Sequence, residues 1–86
     1  MSLLSENLIP GNHGKIFGTN AKENKDLERI KDKVLSIKGI KDVIINSEVY
    51  PREFTIHTTE LVKVKDIEDI VITTGFHAIP KGVFEL

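Results

Sequence analysis

The spacing of apolar residues switches between helical and strand periods along this chain, and the order of those switches restricts the fold more than any other feature. Leu27, Ile30, Val34 and Ile37 recur at i, i+3, i+7 and i+10, Leu35 widens the stripe, and Glu28, Arg29, Asp32 and Lys33 take the opposite side. Recurrence near 3.6 residues presents one helical face to a core. Asn20 or Asn24 is placed to cap its start, and Gly39 to stop it. Beyond Gly39 the period falls to two. Ile40, Val43 and Ile45 make one β-rich run; in a second, Phe54, Ile56 and Thr58 alternate with Thr55, His57 and Thr59. With the turn carried by Tyr50-Pro51-Arg52 between them, the two runs read as an antiparallel hairpin. Helical spacing returns at Val64, Ile67, Ile70 and Val71 and ends at Gly75. Its β-branched residues lower intrinsic helicity, so packing must hold that helix. Lys15-Ile16-Phe17-Gly18 supplies a short strand before the first helix, and Pro80–Leu86 one after the second.

Strand, helix, strand, strand, helix, strand is the order of the ferredoxin-like βαββαβ sandwich, an α+β fold in which two helices cover one face of a four-stranded antiparallel sheet. The expected core is Ile16, Leu27, Ile30, Val34, Ile37, Ile40, Val43, Ile45, Phe54, Ile56, Ile67, Ile70, Val71 and Phe84. Thr55, His57 and Thr59 belong to the open face; Phe17, following an inward Ile16, is expected there too. The chain has 86 residues, room for one core. Residues 15–86 read as that domain and residues 1–14 as a flexible arm, uncoupled by Pro10, Gly11 and Gly14.

Composition then removes whole classes of function. Twelve Lys and Arg against thirteen Asp and Glu leave a net charge of −1, no basic field for nucleic acid. The absence of cysteine excludes a disulfide framework, a thiolate metal site and a thiol nucleophile. No apolar run reaches the roughly 18 residues of a membrane span. The first fourteen residues hold no Lys or Arg and lack a secretory pattern, so the expected location is the cytoplasm.

Several stretches resemble the heavy-metal-associated domain family, the fold of copper chaperones and of the N-terminal modules of metal-pumping ATPases. Gly39-Ile40 followed by Val43 and Ile45 is similar to that family's Leu-x-Gly-Val-x-x-Val-x-Val junction. Phe54-Thr55-Ile56 stands where the family has an alternating Val-Thr-Val strand, and Gly75-Phe76-His77-Ala78 resembles its Gly-Tyr-x-Ala loop. The departure is the family's metal motif, Gly-Met-x-Cys-x-x-Cys. Counting back from Gly39 places its cysteine positions on Glu23 and Asp26, and counting forward from Gly18 places them on Ala21 and Asn24. The two counts differ because this segment is longer than the family pattern. Either way Cu(I), which selects soft sulfur ligands, loses its site.

The resemblance implies a heavy-metal-associated-like binding or adaptor domain without catalysis and without a resident cofactor. A protein partner or self-association is the expected engagement, with no nucleic acid, no membrane span and no bound metal. Phe17 and His57 on the open face are candidate partner-binding residues. An alternative is a carboxylate and histidine site for Zn or Mn: Glu23 and Asp26, three apart at a helix start, with His77 from the loop that lies beside the metal loop in the resembling family. Acidic residues in a first helical turn also simply complement the helix dipole. Another alternative is a small-molecule regulatory module acting as a dimer, with Gly18 and Gly39 near its loops. Acylphosphatase-like hydrolysis would need an Arg in the loop after the first strand, and the two arginines are Arg29 and Arg52. Base stacking on this fold would need aromatic, basic strands, and Glu53-Phe54-Thr55-Ile56-His57 is not one.

Overall fold

A computed structural model describes residues 8–81. The elements in chain order are β1 (Leu8–Ile9), β2 (Gly14–Thr19), α1 (Asn24–Leu35), β3 (Ile40–Asn46), β4 (Arg52–Thr58), β5 (Val62–Lys63), α2 (Val64–Ile72) and β6 (Ala78–Pro80). The main sheet has four strands in the order β3-β4-β2-β6, every neighbour antiparallel. With the two helices on one face, this is the expected ferredoxin-like sandwich. A smaller two-stranded ladder, β1 with β5, adds to it.

Helix α1 buries Leu27, Ile30 and Val34, the residues its period selects. Neither expected asparagine caps it. The backbone carbonyl of Glu23 instead takes the N–H groups of Asp26 and Leu27, both at 3.0 Å. The helix ends at Leu35 with Ser36 as its C-cap, earlier than Gly39, which instead leads the chain into β3 at φ +98°, a left-handed conformation that suits glycine. A side chain there would also meet Val62 Cγ2 at 2.9 Å. Helix α2 buries Val64, Ile67 and Val71 and ends before Gly75, at φ +92°.

The core joins these helices to Val43, Phe54 and Ile56 of the sheet, with Ile37, Ile40, Ile45 and Ile70 packed against it. One strand departs from expectation. In β2 the inward residues are Lys15, Phe17 and Thr19, all at most 4% exposed, and Ile16 lies on the open side, partly exposed. Phe17 therefore does not line the open face, and Ile16 is not a core residue. The reason is register: Phe17 stands opposite Phe54, and residues directly opposite in an antiparallel pair share a face. The two rings stack with centroids 5.5 Å apart and planes 10° from parallel. Phe54 is inward by the alternation of β4, so the parity of β2 decides only whether Phe17 or Ile16 joins it, and the larger ring, which also stacks on Phe54, is the one buried.

The N-terminal segment also differs from a free arm over its described part. Leu8 and Ile9 pair with Lys63 and Val62, and Ile9 is fully buried. Thr58, 1% exposed, ties down the residues between: its N–H donates to the carbonyl of His13 at 3.0 Å and its hydroxyl donates to the carbonyl of Pro10 at 2.5 Å. The N–H of Asn12 returns a bond to the carbonyl of Thr58 at 2.8 Å. The last strand starts at Ala78, two residues before the expected Pro80, and beyond it Lys81 N–H donates to the carbonyl of Ile16 at 2.9 Å. Phe84 lies outside the described residues.

Candidate functional site

Thr19, the last residue of β2, stands opposite both Arg52, the first of β4, and Ala78, the first of β6. That register brings three connections to one end of the molecule: residues 20–23, the hairpin turn 47–51 and the bend 73–77. Asn20 and His77 join two of them, the His77 N–H donating to Asn20 Oδ1 at 2.9 Å. Thr19 Oγ1 accepts from the N–H of Ala21, which is fully buried and anchors the loop. Arg52 ties in the third connection, Nε donating to the carbonyl of Lys22 at 3.4 Å and Nη1 to that of Val49 at 2.8 Å. The opening loop and the Gly75–Ala78 bend thus meet, as the resemblance implies.

Tyr50 projects from this end with 68% of its surface exposed. Arg52 Cζ lies 5.7 Å and Lys22 Nζ 5.8 Å from its ring centroid. Cations at that range are drawn to the negative face of an aromatic ring, about 0.5–1 kcal/mol at an exposed site. Next to this group a hollow of about 240 Å³ opens over Gly18, lined by Thr19, Asn20, Pro51, Ile79 and Lys81.

The carboxylate and histidine set is not assembled. Glu23 pairs with Lys25 at 3.6 Å in open solvent. His77 is exposed, and its backbone, not its ring, makes the bond to the first loop. Among the described residues no three His, Asp or Glu side chains stand close enough together to hold a metal ion. His57 does lie on the open face, where its Nδ1–H donates to Asp42 Oδ1 at 2.7 Å. Asp42, which looks like ordinary solvated surface in the sequence, is thus a neighbour of His57 through the β3–β4 register. Tyr50 is the other residue that sequence reasoning misses: an aromatic beside Pro51 and Arg52 in a turn was the available signal.

Among the described residues no helix is long and apolar enough to cross a membrane. No family model matches the chain, and no curated protein matches it by sequence. Solved structures do. The metal-free heavy-metal-associated domain of a copper chaperone for superoxide dismutase superposes with a TM-score of 0.70 at 18% identity, covering 86% of this chain and 71% of that one. The copper(I)-loaded first domain of the human copper chaperone for superoxide dismutase gives 0.69 at 18% identity, covering 83% and 94%. At that identity the likeness speaks for the backbone alone: the chain has the fold of a heavy-metal-associated domain, without the cysteines that its sequence lacks.

Proposed function

We propose that this chain is a non-catalytic adaptor domain that docks a partner protein with the end of the fold at which its structural relatives' family holds metal. The observation that carries this reading is Tyr50, exposed in the 47–51 turn and flanked by Lys22 of the first loop and Arg52 of β4, at an end whose three connections are cross-linked by Asn20 and Arg52. Tyrosine and arginine are the residue types that most often dominate binding energy at protein interfaces, because each combines a large flat apolar area with directed polar groups. Loops held by hydrogen bonds lose little further freedom on binding, which lowers the cost of association. Cu(I) finds no sulfur ligand here apart from Met1.

The test is capture of binding proteins from an extract of the source cells on immobilised parent chain, Tyr50→Ala and Leu61→Ala. Leu61 is as exposed as Tyr50 but lies in the loop after β4, away from this end. A protein retained by the parent and by Leu61→Ala, and bound at least tenfold less by Tyr50→Ala, is the expected result. Equal retention by all three chains contradicts the assignment of this end.

A further inference from the structure

The end of the fold that carries Tyr50 uses its side-chain acceptors internally and keeps donors over. Asn20 gives its carbonyl oxygen to the N–H of His77, which leaves its amide N–H groups, and Thr19 Oγ1 accepts from Ala21. Arg52 spends Nε and Nη1 on the carbonyls of Lys22 and Val49, and its third nitrogen, Nη2, has no partner among the described residues. The Lys22 ammonium and the Tyr50 hydroxyl likewise make no hydrogen bond there; Lys22 and Arg52 only flank the Tyr50 ring. The carboxylates nearby are mostly committed elsewhere. Glu23 pairs with Lys25 at 3.6 Å and Glu53 with Lys81 at 3.2 Å, so neither answers Lys22 or Arg52. Glu48, exposed in the same turn, is in no ion pair among the described residues, which leaves two cations to one acid.

Resting on the docking end proposed above, we infer that the partner segment it receives is acidic: a carboxylate engages Lys22 and Arg52 beside Tyr50, and a neighbouring apolar side chain sits in the hollow walled by Pro51, Ile79 and Lys81. A carboxylate supplies the acceptors that this end lacks, and hydrogen bonds between charged partners are roughly twice as strong as neutral ones. Arg52 is already fixed by its two backbone carbonyls, so presenting Nη2 costs little further ordering. The hollow is apolar although a lysine lines it. A Cβ on Gly18 would meet Lys81 Cδ at 3.4 Å, so the aliphatic stem of Lys81 forms its wall while Glu53 holds the ammonium. Its 240 Å³ is below the roughly 300–1,000 Å³ of pockets that enclose small ligands, which favours one side chain of a larger partner. Nucleic acid fits less well: strong phosphate binding takes about 6–10 contacts, and here two cations lack an ion pair in a chain of net charge −1. Pro51 lines the hollow and lies between Tyr50 and Arg52 in the chain, so the partner's acidic and apolar residues fall within about three residues of each other, given about 3.8 Å between successive Cα atoms.

Selection of a phage-displayed library of random peptides on the immobilised chain tests it, followed by calorimetric titration of the enriched peptides into the parent, Lys22→Glu, Ile79→Asp, Tyr50→Ala and Lys63→Glu. Lys22→Glu keeps the backbone carbonyl that Arg52 uses, and Ile79 is 60% exposed, so both variants are expected to fold, which circular dichroism checks. Lys63, exposed in β5, is the charge control away from this end. The expected peptides carry Asp or Glu within three positions of a bulky apolar residue. Their dissociation constants rise at least fivefold in Lys22→Glu and in Ile79→Asp, stay unchanged in Lys63→Glu, and rise with added sodium chloride. No enriched peptide, peptides without an acidic excess over the library, or peptides that bind Lys22→Glu as tightly as the parent overturn the inference. If such peptides still lose binding in Tyr50→Ala, the docking end stands with a partner of other chemistry; if they do not, the docking end falls as well.

Discussion

Replacing Phe17 with Ala is expected to cost about 3–5 kcal/mol, the range for deleting a buried phenyl ring and leaving a cavity. The ring is fully buried and stacked on Phe54 at the middle of the sheet, so the loss includes both transfer and ring-ring terms. Domains this size are stable by only about 5–15 kcal/mol in total, so the variant sits close to unfolding at 37 °C. Each kcal/mol corresponds to roughly 4–8 °C of melting temperature for a domain of 60–100 residues. Urea melts of Phe17→Ala and Ile16→Ala side by side measure the difference. Ile16 lies partly exposed on the open face, and its truncation is expected to cost under about 1.5 kcal/mol. The reverse ranking would mean that β2 presents its other side to the helices.

Ile9→Ala carries the second large effect, about 2–5 kcal/mol. Its side chain is fully buried although it sits in a strand of two residues near the start of the described chain. The loss is expected to spread, because Ile9 packs at the head of a segment whose hydrogen bonds converge on Thr58. Amide exchange gives that local reading: Asn12 and Thr58 should lose protection in Ile9→Ala, as local opening becomes easier. Leu61→Ala, at an exposed site, should stay within about 0.5 kcal/mol of the parent. A melting temperature for Ile9→Ala equal to the parent's would mean that residues 8–13 contribute nothing to the fold.

These two positions mark where the fold was legible in the sequence and where it was not. Both helices were, because Leu27, Ile30 and Val34, and Ile67 and Val71, repeat at a period that only a helix brings to one face. The β4 strand was, because Phe54, Ile56 and Thr58 alternate cleanly with polar residues. The β2 strand has adjacent apolar residues in Ile16-Phe17, which fit either parity, and the choice is made by pairing with Phe54, far away in the chain. Ile9 belongs to a strand too short to show any period, and its burial depends on Val62 and Thr58, likewise remote.

The candidate site divides in the same way. The meeting of the first loop with the Gly75–Ala78 bend follows from the order of elements, since β2 and β6 run antiparallel as neighbours. Side-chain positions within those loops do not follow from it. Glu23 turns to Lys25 and solvent, while Asn20, expected as a helix cap, spends its carbonyl on His77. His57 was placed on the correct face by alternation, but its partner Asp42 depends on an irregular register between Ile40 and Asp42 that no local pattern announces.

What separates a protein-docking end from a metal centre is most directly measured as metal content, by elemental analysis of the chain purified without chelators or metal-affinity steps and then equilibrated with Zn(II) and Cu(I). No ion in stoichiometric amount is expected after exchange into metal-free buffer. About one ion per chain, retained by the parent and lost in His77→Ala, would contradict the account.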